Sequence, residues 1–287
     1  MPTLKEIKGR IASVQNTLKI TSAMKLVSSA KLRKAQTAIE SMRPYQAKLQ
    51  EILDTATGGK AVAPPSSSVI PGSDRESPTV VIALASNSSL CGGFNANAIT
   101  KAKEVLREHP DATVYSIGRK MADAMRKAGH PSPQDFTSLS EHPAYGPAAD
   151  LAEKLMEEYR DGKIASVLLV YNHFVSTGKQ VPVVEELFSV ISSEAEGVVE
   201  KSASDIILEP SRKELLEALY PKTIKLKLFA ALLDSAAAEH AARTVAMQTA
   251  TDNGEDLLAE LTLQYNKGRQ QKITSEILDL AGGQARD

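Results

Sequence analysis

No proline follows Pro221, and from there the apolar residues keep helical spacing almost to the end of the chain. Ile224, Leu228 and Leu232 open the face. Leu233, Ala236, Ala237, Ala241, Val245 and Met247 continue it, and Leu257, Leu258, Leu261, Ile273, Ile277 and Leu280 extend it. Spacings of three and four predict one helix from about Lys222 to Ala281, which at 1.5 Å per residue is about 90 Å long. Gly254 and Gly268 cost about 1 kcal/mol each in such a helix, but need not break it. A globule of 287 residues cannot bury a helix of that length. It has to pack against a second long helix and protrude into a partner.

The other end of the chain supplies that second helix. Leu4, Ile7, Ile11, Val14 and Leu18 form a coiled-coil seam. The phase slips near Thr21 and resumes through Met24, Val27, Leu32, Ala35, Ile39 and Met42. Pro44 removes one helical hydrogen bond, so a kink or an end is expected there. The pattern returns weakly at Leu49 and Leu53, and Gly58-Gly59 reads as a stop. Residues 58–78 hold Pro64-Pro65-Ser66-Ser67-Ser68, Pro71-Gly72 and Pro78, the composition of a linker.

Between the ends, strands and helices alternate. Thr79–Ala85, Ala112–Ile117, Ser166–Tyr171 and Gln180–Leu187 read as strands. Asn95–Arg107, Arg119–Ala128 and Pro147–Arg160 read as helices. That alternation argues for an open, Rossmann-like α/β sheet. The expected architecture is an antiparallel coiled coil of the two terminal helices with a small α/β domain inserted. Its parts are the N-terminal helix (1–57), the linker (58–78), the α/β domain (79–210) and the C-terminal helix (211–287).

Charge follows the same division. Residues 1–57 hold ten Lys and Arg against four Asp and Glu, residues 58–210 hold 14 against 20, and residues 211–287 hold 10 against 11. The whole chain is balanced at -1, which excludes a generally basic nucleic-acid coat and an acidic disordered tail. Aromatics are only 4% and Trp is absent, which suits long helices better than a ring-rich enzyme core. A single cysteine excludes an internal disulfide and a Cys-rich zinc site, and suggests a reducing compartment. No apolar run approaches the roughly 20 residues of a membrane span. The first residues lack the apolar core of a signal peptide, so synthesis and use in the cytoplasm are expected.

Chemical motifs are sparse. There is no phosphate-binding G-x-x-x-x-G-K-[ST], no G-x-G-x-x-G after the first strand, no H-E-x-x-H and no G-x-S-x-G. His109, His130, His142, His173 and His240 have no ligand-like spacing, so no metal is expected. One stretch can be read as a hydrolase site. Cys91 lies between a strand and a helix, where a helix dipole favours a thiolate, and His173 follows a later strand as a base. The structural reading is a tight turn made by Gly92-Gly93, with Cys91 a small buried hydrophobe.

Two further features admit more than one meaning. Lys5, Lys8, Arg10, Lys19, Lys25, Lys31, Arg33 and Lys34 stand against the single acid Glu6 in residues 1–36. An acidic protein partner, a solvated face and nucleic acid all fit such a helix. The absence of an aromatic before Tyr45 leaves no base-stacking platform. Polar residues also interrupt both helices: Thr17, Thr21, Ser22, Ser28 and Ser29 in the first, and Thr244, Gln248, Thr249, Thr251, Asn253, Asn266, Gln270 and Gln271 in the last. They mark either an interface that breaks and re-forms at low cost or ordinary helix surface.

Several stretches together resemble one family. Ile7-Lys8-Gly9-Arg10-Ile11, Ser13-Val14, Thr17, Lys19-Ile20-Thr21, Ala23-Met24 and Lys31-Leu32-Arg33-Lys34-Ala35-Gln36 resemble the N-terminal helix of rotary ATP synthase gamma subunits. Glu239-His240-Ala241-Ala242-Arg243, Ala246-Met247, Ala250-Thr251, Asn253, Leu263, Tyr265-Asn266, Arg269-Gln270, Ile273-Thr274 and Glu276-Ile277 are similar to the C-terminal signature. Leu90-Cys91-Gly92-Gly93 with Asn95 is similar to the middle motif. Val170-Tyr171-Asn172 with Phe174, and Glu209-Pro210, are similar to weaker ones.

The resemblance implies a non-catalytic central shaft without a cofactor of its own. One copy would turn inside a hexamer of three alpha and three beta subunits. Its α/β domain would stand as a foot on the epsilon subunit and the membrane ring of c subunits. Proton flow would turn the ring, and the shaft would drive the beta subunits through their nucleotide states. Arg269, Gln270 and Thr274 match positions that engage a beta-subunit loop. Met24 and Lys25 match positions facing a mobile acidic beta segment, and Arg243 matches an arginine linked to coupling. Asp205 to Glu209 align with the foot near the c ring. Nucleic acid is not an expected partner. The implied location is peripheral, on the cytoplasmic face of a bacterial inner membrane, since no transit peptide precedes the first helix. The sequence departs from the family at Asn87-Ser88-Ser89, where Asp-Arg-Gly is frequent, and lacks the regulatory cysteine pair of plastid forms.

Overall fold

A computed structural model describes residues 3–57, 78–188 and 211–283. The expected linker at 58–78 and the foot residues Asp205 and Glu209 therefore lie outside the described residues, apart from Pro78. Among the described residues, six helices and four strands follow in the order α1 (Leu4–Thr57), β1 (Thr79–Leu84), α2 (Phe94–Glu108), β2 (Thr113–Ile117), α3 (Arg119–Lys127), α4 (Thr137–Glu141), α5 (Tyr145–Arg160), β3 (Ser166–Ser176), β4 (Lys179–Glu186) and α6 (Arg212–Gly283). They group into two compact units, one of residues 1–29 with 243–287 and one of residues 30–242.

The larger unit is built on a four-stranded sheet in the order β2-β1-β3-β4. β1 runs parallel to β2 and β3, while β3 and β4 form an antiparallel hairpin closed by Thr177 and Gly178. The central β1 alternates strictly. Val80, Ile82 and Leu84 point to one face, where they meet Tyr115, Leu155, Leu169, Ile224 and Leu228. Val81 and Ala83 point to the other, against Ala98, Ala102, Val105, Met121 and Met125 from α2 and α3. This is the side-chain period of two expected of a strand buried on both faces. Full burial of each large side chain contributes about 1.5–3 kcal/mol.

Both helix-interior prolines are tolerated. A kink or an end was expected at Pro44, and the helix continues through it to Thr57. The turns beyond it hold Leu49 and Leu53, both buried in the sheet's core, and that packing offsets the lost bond. The last helix starts at Arg212, ten residues before the expected start, and passes through Pro221. Tyr220 anchors this extra length: it is buried, and its hydroxyl donates to the Phe188 carbonyl at 2.8 Å. β3 outruns its expected end at Tyr171 because Asn172 to Ser176 pair with β4.

The turn from β2 into α3 is the tightest backbone approach. Gly118 has φ +97°, and a Cβ there would lie 2.0 Å from the Ala85 carbonyl oxygen. Gly118→Ala should therefore destabilise the larger unit by about 3 kcal/mol, combining left-handed strain with a backbone clash. A thermal melt of the full chain checks this; an unchanged midpoint would mean that the β1 end shifts freely.

Candidate functional site

The smaller unit pairs α1 up to Ser29 with α6 from Arg243. Its register is antiparallel and constant. Leu4 lies against Gly268 and Leu18 against Gly254, so leucines two heptads apart meet glycines two heptads apart. The Leu18 Cδ2 sits only 2.7 Å from where a Gly254 Cβ would be, and the Leu4 Cδ2 3.1 Å from that of Gly268. The glycines act as notches that receive leucine knobs. The next turn is polar. The buried Thr21 and Thr251 hydroxyls are 2.9 Å apart, and Lys25 Nζ donates to Gln248 Oε1 at 2.6 Å. Gln248 Nε2 in turn donates to Asp252 Oδ1 at 2.6 Å.

The interrupting polar residues differ in burial, with Ser22 and Thr244 half-buried. Thr21, Ser28 and Thr251 are buried, and Lys25 and Gln248 are half-buried partners across the seam. Thr17, Ser29, Thr249, Asn253, Asn266, Gln270 and Gln271 are exposed. Net hydrogen bonds of about 1 kcal/mol each hold such a seam in register without the driving force of a leucine zipper.

The residues singled out by resemblance fall on different surfaces. Arg243 is buried. Met24 and Lys25 are half-buried. Arg269, Gln270 and Thr274 are exposed on one stretch of α6, where the Thr274 hydroxyl donates to the Gln270 carbonyl at 2.9 Å. Large apolar side chains are exposed on the same two helices: Leu26 at 69%, Leu263 at 71% and Leu278 at 65%, with Ile20, Val27, Ile273 and Ile277. Exposed apolar side chains in such number mark a surface built for a partner. Lys5, Lys8, Arg10, Lys19, Lys31, Arg33 and Lys34 are exposed and form no ion pair among the described residues.

The structure does not assemble a hydrolase from Cys91 and His173. Cys91 is buried, and the Asn95 side-chain amide donates to its Sγ at 3.1 Å. Leu90 and Gly92 take positive φ values of 67° and 56°, which makes the tight turn. The His173 ring pairs with Asp234 on α6 instead. Among the described residues, no three His, Cys, Asp or Glu side chains cluster as metal ligands, and no helix is long and apolar enough to cross a membrane. Sequence reasoning missed the Gly254 and Gly268 notches and Asp234. A glycine inside a helical pattern reads only as a cost until the leucine opposite it is known.

The chain thus has two long terminal helices with a four-stranded α/β sheet between them in sequence. The ATP synthase family matches residues 3–285. An ATP synthase gamma chain of Phocaeicola vulgatus is 45% identical over 99% of both chains. One of Bacteroides thetaiotaomicron is 43% identical with the same coverage. Among solved structures, a chain of the Euglena gracilis mitochondrial ATP synthase in rotational state 3 aligns with a TM-score of 0.66 at 18% identity, covering 98% of this chain and 93% of that one. A chain from the central stalk and c ring of the Tetrahymena thermophila mitochondrial ATP synthase aligns at 0.54 and 19% identity, covering 80% and 99%. At these identities the structures show the fold. The sequence identities decide the family: the chain belongs to the ATP synthase gamma chains.

The notches yield a test of register. Gly254→Leu should lower the melting stability of the helix pair by about 1–3 kcal/mol, because its side chain collides with Leu18. Leu18→Ala added to Gly254→Leu should recover most of the loss, as followed by the helical circular dichroism of the full chain. Equal melting of the single and double variants would sink the knob-and-notch account.

Proposed function

We propose that this chain works as the rotating central stalk of an ion-driven ATP synthase, coupling ion flow through a membrane c ring to ATP synthesis or hydrolysis by an alpha and beta hexamer. It is a non-catalytic subunit. The observation that carries the reading is 45% identity to an ATP synthase gamma chain over 99% of both sequences. One copy serves three alpha and three beta subunits, with the epsilon subunit and the c ring at the foot. The chain is peripheral, on the cytoplasmic face of a bacterial inner membrane.

The surfaces suit that work. Arg269, Gln270 and Thr274 are exposed, so contacts to a beta loop form without first breaking a buried arrangement. Exposed polar contacts are worth about 1 kcal/mol or less each, so they also release. The exposed lysines and arginines of α1 offer positive charge to a moving acidic beta segment, with Met24 and Lys25 nearest the seam. That attraction acts over roughly 8–10 Å at physiological salt. Arg243, being buried, acts from within the shaft and not at its surface. Asp205 and Glu209 belong to the foot near the c ring in this reading, residues 58–78 to a linker, and residues 79–210 to the foot domain.

Reconstitution with alpha and beta subunits of the same source tests the proposal. One copy per three alpha and three beta, with ATPase activity dependent on the chain, is the expected result. Arg269→Ala should weaken assembly or coupled ATPase by about 2–5-fold, as for one exposed polar contact worth about 1 kcal/mol or less. Cys91→Ala should leave both largely intact, at a stability cost of about 1 kcal/mol for a small cavity. A fully coupled Arg269→Ala complex would remove that residue's role, and absence of a stoichiometric complex with folded partners would remove the stalk reading.

A further inference from the structure

Asp234 lies on α6 and faces β3. Its side chain is only 18% exposed, and it reaches two adjacent residues of the strand. One oxygen accepts the Phe174 backbone N–H at 3.1 Å, and the other lies 2.5 Å from His173 Nδ1. The strand is irregular there, with a register shift against β4 between Phe174 and Ser176. The carboxylate therefore fixes the strand where its own ladder is weakest.

Phe174 makes this position matter. Phe174 packs against the buried cluster that Leu32 and Ala35 of α1 form with Ala237 and Ala241 of α6. It also packs against a second cluster, formed by Cys91, Phe94 at the start of α2, and Ala238 and Ala242 of α6. One carboxylate thus holds the backbone of the residue that packs against both clusters. Two turns earlier on α6, Lys227 Nζ donates to the Glu186 carbonyl at 2.7 Å and lies 4.0 Å from the Glu185 carboxylate. Glu185 also accepts from the Tyr171 hydroxyl at 2.8 Å. The β3–β4 hairpin is pinned to α6 at two levels.

Holding this carboxylate is not free. Burial pushes the Asp234 carboxyl above its ordinary range, while the His173 hydrogen bond and charge and the Phe174 N–H pull it back down. Nearby Glu185 adds to the upward push. A raised carboxyl favours the fold below its ordinary value, and that contribution is lost as pH rises through the raised one.

We propose that Asp234 is a positioning residue that clasps the β3–β4 hairpin to α6, so that force applied to the α/β unit turns the helix instead of shearing the sheet past it. This rests on the stalk reading above. Without the clasp the hairpin yields, Phe174 is free to leave both clusters, and rotation is lost between sheet and helix.

The test uses the full ATP synthase complex in sealed vesicles, with ATP hydrolysis and ion pumping read together. Asp234→Ala should keep the hexamer's hydrolysis while ions pumped per ATP fall by about half or more, and the Phe174 amide should exchange about tenfold faster, as for one lost hydrogen bond. Asp234→Asn should stay near wild type in both readouts, because its amide oxygen still accepts the Phe174 N–H. His173→Ala, at a half-exposed position, should show a smaller loss of the same kind and guards against an Asp234→Ala chain that fails to assemble. Alanine variants that pump like wild type would overturn the clasp, as would Asn and Ala variants that slip equally. A wild-type complex that hydrolyses ATP without pumping would overturn the stalk reading itself, and with it the clasp.

Discussion

The structure depends on how closely one stretch of α6 is approached from every side. Ala231, Ser235, Ala236, Ala237, Ala238, Ala241 and Ala242 are all buried. Ala237 and Ala241 meet Leu32 and Ala35 of α1, while Ala238 and Ala242 meet Cys91 and Phe94. Ala231 and Leu232 join the sheet's own core. Only small side chains let a helix accept neighbours around most of its circumference at interior packing density. A larger residue at Ala237 or Ala238 would push away α1 or α2, and the sheet would lose its hold on the helix. Alanine also has the highest helix propensity, so the same residues keep α6 continuous where it is most crowded.

Away from that stretch the two helices change character. Past Arg243 the seam depends on glycine notches, a threonine pair and a lysine–glutamine bond, and beyond Leu261 nearly all described side chains of α6 are exposed. A helix that only had to be stable would carry leucine at Thr21 and Thr251. Polar pairs give up burial energy but penalise a slipped register, because a slip strands a hydroxyl opposite an apolar group. The notches act in the same direction: Leu18 fits opposite Gly254 and nowhere nearby. Register matters in a shaft because every exposed residue's angular position follows from it.

The sequence made some of this legible and hid the rest for definable reasons. Periodicity exposed both long helices, since the apolar face at Ile224, Leu228 and Leu232 is strong, and the alternation in Val80 to Leu84 gave the central strand. It left open whether the helix runs on past Pro44 or ends there, and its apolar face began only after Pro221; packing by Leu53 and Tyr220 decides both cases against the local penalty. Nor could it show β3 running on through Asn172, His173 and Phe174, whose partners on β4 set that pairing. The five-residue α4 carries no periodic signal at all. Arg269, Gln270 and Thr274 look like ordinary polar surface by pattern, and family resemblance alone marks them. Asp234 was invisible because its meaning lies in a strand 60 residues away in sequence.

Buried and exposed groups then fall into the two roles a rotating part requires. Joints within the chain have to survive torque, and the structure offers a close backbone approach at Gly118, the buried Tyr220 hydrogen bond to Phe188 and the bonds of Asp234 to two residues of β3. Contacts with a stator have to break every turn. A buried ion pair there would cost several kcal/mol to part, because each separated charge would be left desolvated. Arg269 and Gln270, the residues proposed above for that contact, stand in solvent, where water would replace each lost partner at once. The same reasoning separates the roles proposed for Arg243 and Arg269: a buried guanidinium cannot exchange partners cheaply, whereas an exposed one can.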